Sequence, residues 1–150
     1  MVIDDDESML RALERTLASQ GAMVIGTQWA GDAVETLIGR ERHLDLVITD
    51  LRMPYVTGIT MVYAIRLMFP SIPVVVLTAY GSPELRAECF RQGAAAFLEK
   101  SINTSELVAE IERVLGRQER ATGDPSGPGV EEAADENIHL DKTHQTHDPL

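Results

Sequence analysis

The chain is poor in cysteine, in basic residues and in long apolar runs. Its one cysteine, Cys89, excludes an internal disulfide bond and is typical of a reducing compartment. Lysine and arginine total 13 against 24 acidic residues, which argues against direct binding to nucleic acid or to an anionic membrane. No apolar run approaches the roughly 20 residues that span a bilayer, and the first residues are acidic where a signal peptide is basic. These absences predict a cytoplasmic protein.

What remains is a chain of 150 residues, 44% of them hydrophobic, which suffices for one ordinary globular domain. Strand-like and helix-like segments alternate over residues 1–119, the pattern of a parallel sheet built from βα units. From residue 120 the apolar periodicity stops, and residues 121–150 hold seven acidic residues against one basic residue. The sequence therefore predicts an α/β domain over 1–119 and a disordered acidic tail over 120–150.

Turn and cap residues divide the predicted domain into five strands and five helices. Gly21 suits the left-handed end of a first helix, and Met23–Ile25 is predicted to be the second strand. Pro83 suits the first turn of the fourth helix, which is predicted to run to Gly93. Thr104 or Ser105 is expected to cap the last helix, which carries one apolar stripe.

Four of the predicted strands end on polar residues. The first strand runs into Asp4 and Asp5, the third into Asp50, the fourth into Thr78 and the fifth into Lys100. The carboxyl ends of parallel strands share one edge of a sheet, and open α/β sheets bind their ligands at that edge. We therefore expect these side chains to form one site.

The residue types in this expected site favour phosphoryl chemistry. Asp4, Asp5 and Asp50 would repel one another unless a cation lies between them, and oxygen ligands of this kind suit Mg²⁺. Lys100 offers a second positive charge and Thr78 a hydroxyl donor for a phosphoryl group. Asp50 is the candidate nucleophile, because a carboxylate that attacks phosphorus forms an aspartyl phosphate.

With these motifs the chain resembles the receiver domains of two-component response regulators. The resemblance covers about residues 1–119 and implies a doubly wound, five-stranded parallel sheet in the order 2-1-3-4-5, with helices on both faces. It rests on four motifs: IDDDES at 3–8, DLVITDLRMP at 45–54, VLTAYG at 76–81 and FLEK at 97–100. The TAYG segment is most like receivers that precede transcriptional activator domains.

The resemblance also implies a role for each site residue. Asp50 would accept a phosphoryl group from a phosphohistidine. Asp5, Asp50 and the backbone carbonyl of Arg52 would bind Mg²⁺ directly, and Asp4 would act through a water molecule. The phosphoryl oxygens would be bound by Thr78 and Lys100. The switch pair would be Thr78 and Phe97, an aromatic residue that turns inward as the threonine moves toward the phosphate.

The partners that the resemblance implies are a sensor histidine kinase or a phosphotransfer protein, and an unidentified downstream protein. A homodimer through the face of the fourth helix, fifth strand and fifth helix is a further expectation. The protein would be a phosphoacceptor and not an enzyme, with at most slow loss of its own phosphate. Arg52 and Tyr80, which lie two residues beyond Asp50 and Thr78, flank the path of the hydrolytic water in this family and favour such slow loss.

The sequence departs from the family in its first strand and after its lysine. The chain begins at Met1, so that only about three apolar residues precede the acid pair and weaken a central strand. Ser101 stands where the family has a proline after a cis peptide bond. Without proline the cis form costs about 2.5 to 4 kcal/mol, so a trans bond and some displacement of Lys100 are expected.

Two other functions remain open at this point. A receiver-like module that binds a partner without phosphorylation is favoured if the short first strand and Ser101 spoil the site. A Mg²⁺-dependent phosphohydrolase of the haloacid dehalogenase type also works through an aspartyl phosphate. Such enzymes need a second acid two residues after the nucleophile, and here that residue is Arg52.

Overall fold

A computed structural model describes residues 1–122, and it describes side chains as far as residue 116. Strands and helices alternate along this part of the chain. The strands are β1 Val2–Ile3, β2 Gly26–Thr27, β3 Val47–Thr49, β4 Val74–Thr78 and β5 Ala96–Glu99. The helices are α1 Glu7–Ser19, α2 Ala30–Arg40, α3 Gly58–Met68, α4 Pro83–Arg91 and α5 Thr104–Thr122, with a 3-10 turn at Glu41–His43.

The five strands form one parallel sheet in the order β2-β1-β3-β4-β5. This order confirms the predicted fold class. The chain moves outward from β1 to β2 and then crosses back to β3, so β1 and β3 lie side by side at the point where the winding direction reverses. Such a reversal leaves a crevice at the carboxyl ends of the two strands.

Alternate residues of each strand point to opposite faces of the sheet and build two separate cores. On one face, Ile3 and Val76 pack with residues of α2, α3 and α4 such as Leu37 and Val62. On the other face, strand residues pack with α1 and α5 in a cluster that includes Val2, Ile48, Val75, Leu77, Leu13 and Ile111. The helices therefore cover both faces, as the resemblance implied.

The first strand is short but paired on both sides. β1 holds two residues, one fewer than the sequence suggested, and each is paired with β2 and with β3. Beyond the strand, the Asp4 amide donates to the Thr27 carbonyl at 3.1 Å, and the Asp50 amide donates to the Ile3 carbonyl at 3.0 Å. The first bond holds the end of β1 against β2, and the second holds it against the end of β3.

Two predicted details are wrong. The second strand lies at Gly26–Thr27 rather than Met23–Ile25, because β1 pairs with the later residues and Met23 is 96% exposed. The cap of α5 is Asn103, whose Oδ1 accepts the Glu106 amide at 2.9 Å. The expected helix ends do occur at Gly21 and Gly93, where φ is +86° and +98°. The predicted tail lies outside the described residues, apart from the last turn of α5.

Candidate functional site

The turn after β1 separates the roles of three consecutive aspartates. Asp6 caps α1, because its Oδ1 accepts the amides of Ser8 and Met9 at 2.9 and 3.1 Å. Asp4 is 2% exposed, and its Oδ1 accepts the Asp6 amide at 2.9 Å. Asp5 lies between them with an exposed side chain. One carboxylate is thus held inside the crevice while the next remains open to solvent.

Asp50 follows β3 directly and is 6% exposed. Its Oδ1 accepts the Leu51 amide at 2.6 Å, which orients the carboxylate at the strand end. The loop from Leu51 to α3 returns to the same point, since the Gly58 amide donates to the Leu51 carbonyl at 2.9 Å. A buried acid is therefore held by the backbone that surrounds it.

Gly58 allows this loop to close, and sequence reasoning did not identify it as a site residue. A Cβ atom at this position would overlap the Asp50 carbonyl oxygen and the Leu51 Cα. The first turn of α3 can approach Asp50 only because the side chain is absent. The signal available in the sequence was a glycine directly before a helical segment and eight residues after the key acid.

Lys100 joins the two buried acids. Its Nζ lies 2.6 Å from Asp4 Oδ2 and 2.9 Å from Asp50 Oδ2. The Lys100 amide donates to the Thr78 carbonyl at 2.8 Å, which continues the pairing of β5 with β4 to this residue. The ammonium group therefore reaches both carboxylates with Ser101 as the next residue.

Burial and charge act in opposite directions on this ion-paired group. Burial raises the pKa of Asp4 above its usual range, and hydrogen bonds from Lys100 and the Asp6 amide offset only part of that effect. For Lys100, burial lowers the pKa, but its bonds to Asp4 and Asp50 outweigh burial and leave the pKa raised. The lysine is thus held in its charged form, which a crevice with several carboxylates requires.

Thr78 is the last residue of β4, and Phe97 lies in the neighbouring strand β5. Thr78 is fully buried, and its Oγ1 accepts the Tyr80 amide at 3.3 Å. Phe97 is 3% exposed and belongs to the core that α4 covers. The guanidinium of Arg86 lies 5.6 Å from the Phe97 ring. In this structure the aromatic ring is therefore already inside.

The acidic cluster fits a divalent cation. Asp4, Asp5 and Asp50 each offer an oxygen, and the three oxygens lie within 4.8 Å of one another. Three carboxylates this close exceed the single ammonium of Lys100 in charge, and oxygen donors of this type suit Mg²⁺. The donor set is consistent with the metal that the sequence suggested.

Arg52 and Tyr80 are in direct contact. The Arg52 guanidinium carbon lies 3.6 Å from the centre of the Tyr80 ring, a stacked cation–π arrangement. The sequence placed each residue beside the site but gave no sign that the two touch. The contact links the loop after β3 to the loop after β4.

Comparison with known proteins identifies the family. The family model described as the response regulator receiver domain matches residues 1–112. The chain belongs to the response regulator receiver domain family. Receiver domains are phosphoacceptor signalling domains, and the family typically binds Mg²⁺. The resemblance to receiver domains that the four sequence motifs indicated is therefore confirmed.

Among curated receiver-containing proteins, the chain is similar to the transcriptional regulatory protein ZraR of Escherichia coli O157:H7. The identity is 36% over 115 residues, which are 77% of this chain and 26% of ZraR. It is 31% identical over 114 residues to the DNA-binding transcriptional regulator NtrC of Escherichia coli K12, which covers 76% of this chain and 24% of NtrC. The chain spans about a quarter of the length of these relatives.

Solved receiver structures share the fold. A receiver domain protein from Clostridium thermocellum superimposes with a TM-score of 0.76 at 24% identity, over 81% of this chain and 96% of that one. The beryllofluoride-activated NtrC4 receiver domain dimer gives a TM-score of 0.72 at 24% identity, over 78% and 95%. Within residues 1–122 no helix has both the length and the apolar content for crossing a bilayer.

Proposed function

We propose that this receiver domain accepts a phosphoryl group on Asp50 from the phosphohistidine of a sensor histidine kinase or of a phosphotransfer protein. The observation that carries the proposal is the position of Asp50, buried at the end of β3 within 2.9 Å of Lys100 Nζ. An Asp50 oxygen attacks phosphorus, the phosphorus–nitrogen bond breaks, and the neutral imidazole leaves after it takes up a proton.

Mg²⁺ would be held by Asp5, by Asp50 and by the backbone carbonyl of Arg52, with Asp4 acting through water. When bound, the ion supplies positive charge that offsets the carboxylates and the incoming phosphoryl oxygens. Lys100 then binds a phosphoryl oxygen as a point charge, and Thr78 donates its hydroxyl proton to another. The mutual spacing of the three carboxylates supports this assignment.

The signal is a shift between two conformations that exist before phosphorylation. Thr78 moves toward the phosphoryl group, and the buried Phe97 ring is retained inside by the space that this movement opens. The output is a protein contact with a downstream partner. A homodimer through α4, β5 and α5 is one such contact.

Two features that the sequence put in doubt, the position of Lys100 before Ser101 and the short first strand, are both intact in the structure. They favour this function over a receiver-like module that works without phosphate. Lys100 reaches both acids although Ser101 follows it, and β1 is bonded on both sides although it has two residues. A phosphohydrolase receives no such support, because Arg52 stacks on Tyr80 where that class needs an acid.

Incubation with acetyl phosphate and Mg²⁺, followed by intact mass measurement, tests the proposal. We expect the mass of one added phosphoryl group, which disappears in the presence of EDTA and in the Asp50→Ala variant. Asp45→Asn is the matched control, since Asp45 is an exposed acid on the same segment, and it should be modified normally. Unchanged modification of Asp50→Ala, or none in the wild type, contradicts the proposal.

A further inference from the structure

A cleft lies at the edge of the sheet opposite the acidic site. Its volume is about 320 Å³, and it is formed where the segments before β4 and β5 meet α5. Its apolar lining includes Pro70, Pro73, Ala95 and Val114. No role in phosphoryl transfer uses this cleft, because it is at the amino ends of the strands.

The cleft contains a cation whose described partners are all uncharged. Arg66 of α3 lines it, and its Nη1 donates to the carbonyls of Pro70 and Ile72 at 2.6 and 3.4 Å. Its stem lies against Gly93, where a φ of +98° turns the chain toward β5. Among the side chains that the structure describes, no carboxylate lies in ion-pair distance of this guanidinium.

The segment that follows the domain in sequence leaves from beside this cleft. Val114 lines the cleft, and α5 continues for eight residues to Thr122, a rise of about 12 Å. The following residues 123–129 read GDPSGPG, a composition that permits a reversal of direction. The eight residues from Thr122 to Val130 can span about 26 Å when extended, twice the distance that the segment must return.

We propose that the segment Val130–Glu132 of the same chain binds in this cleft. Val130 is the first residue of the tail with an apolar side chain larger than alanine other than proline, and two glutamates follow it. The valine side chain fills the apolar part of the cleft, between Val114 and the prolines, and a glutamate pairs with Arg66. The later apolar segment around Ile138 competes less well, because the entropy cost of closing a loop rises with its length.

A spin label tests the contact in the full-length protein. The label is attached at Ala133→Cys, and the buried Cys89 stays unmodified because its side chain has no exposed surface. We expect a selective loss of amide signal intensity at Gly93 and Ala95. A label at Thr143→Cys is the matched control and should leave these two amides sharp. Equal intensities for both labels, or broadening elsewhere on the domain instead, overturns the proposal.

Charge variants test the pairing. Glu131→Gln with Glu132→Gln, and separately Arg66→Gln, should restore the intensity at Gly93 and Ala95, as should high salt. The double variant Glu131→Gln with Glu132→Gln changes no residue of either core cluster. It therefore still tests the pairing if Arg66→Gln fails to fold. Asp141→Asn is the control and should change nothing.

Two further results would overturn the proposal: broadening that survives the glutamine pair but is lost in Asp141→Asn, and broadening of unlabelled protein mixed with labelled protein. The first would assign the contact to another part of the tail, and the second to a neighbouring molecule. Phosphorylation is not required in any arm, so the outcome is independent of the proposed function.

Discussion

At the residue scale, the site places two buried acids around one lysine. Asp4 and Asp50 share the Nζ of Lys100, and Asp5 adds a third carboxylate within 4.8 Å of both. Negative charge therefore exceeds positive charge in a crevice where two of the three acids are buried. The folded state without metal bears the cost of this excess, and any group that brings positive charge relieves it.

Replacing one buried acid should therefore stabilise the metal-free protein. Asp4→Asn keeps the shape of the side chain and removes a charge that burial disfavours. We expect the free energy of unfolding in EDTA to rise by about 1 kcal/mol, the usual size of a single-residue effect. Saturating Mg²⁺ should reverse the order of the two proteins. Urea denaturation in both buffers measures this, and a variant less stable than wild type in EDTA contradicts it.

Gly58→Ala should damage both fold and site. The added Cβ overlaps the backbone of Asp50 and Leu51, so we expect a loss of about 1 to 3 kcal/mol and slower phosphorylation. The matched control is Gly39→Ala in α2, where nothing lies within 4 Å and alanine favours the helix by about 1 kcal/mol. Thermal denaturation of both variants decides the question, and equal effects would refute this role of Gly58.

The Arg52–Tyr80 contact should slow the loss of phosphate. The stacked side chains join the loop after β3 to the loop after β4, and we expect them to hinder the approach of water to a phosphoryl group on Asp50. Tyr80→Ala is expected to speed dephosphorylation by on the order of tenfold, which corresponds to about 1.4 kcal/mol of barrier. Decay of the phosphorylated protein after removal of the donor measures the rate. Tyr63→Ala, an exposed tyrosine on α3, is the control, and an unchanged rate in Tyr80→Ala counts against the role.

At the element scale, β1 is a two-residue strand in the interior of the sheet. It lies between β2 and β3 with two paired residues, yet it carries the turn that positions Asp4 and Asp5. The side chains of Val2 and Ile3 face opposite cores. Each of them therefore joins one helical layer to the middle of the sheet.

This placement makes Val2 sensitive to truncation. Val2→Ala should lower the free energy of unfolding by about 2 kcal/mol, because Val2 is 1% exposed in the cluster under α1 and α5. Val24→Ala is the matched control, since Val24 is partly exposed beside the same cluster and should cost less. Denaturant titration of both variants provides the measurement, and a smaller loss for Val2 than for Val24 would show that β1 contributes little.

The helices that follow the strands could largely be predicted from their caps. Pro83 begins α4 and Ser82 caps it, since its Oγ accepts the Leu85 amide at 3.2 Å. Gly21 and Gly93 end their helices as expected. The second strand could not be predicted in the same way. The apolar residues at Met23–Ile25 precede the pairing with β1, and only the partner strand determines the register.

At the scale of the whole molecule, the sheet order brings distant residues into one site. Asp4, Asp50 and Lys100 are far apart in sequence, and the sequence predicted their meeting because parallel strands share an edge. The close approach of Gly58 and the stacking of Arg52 on Tyr80 could not be predicted, since both depend on the path of loops.

Metal binding should stabilise the entire domain. A ligand that binds only the folded state adds about 2.7 kcal/mol at one hundred times its dissociation constant. We expect Mg²⁺ to raise the melting temperature of the wild type and to have little effect on that of Asp5→Asn. The Asp5 side chain is exposed, so its replacement should leave the fold intact. Glu7→Gln is the nearby control and should respond like the wild type. An equal rise in Asp5→Asn would place the ion elsewhere.

The most direct test of the central claim is to locate the phosphoryl group chemically. The protein is phosphorylated with acetyl phosphate and Mg²⁺, treated with borohydride and analysed by peptide mass spectrometry. Borohydride reduces an aspartyl phosphate to homoserine, so the account predicts homoserine at position 50 and unchanged aspartate at positions 4 and 5. Homoserine at another position, or an unreduced Asp50 in protein that carries the phosphoryl group, would contradict it.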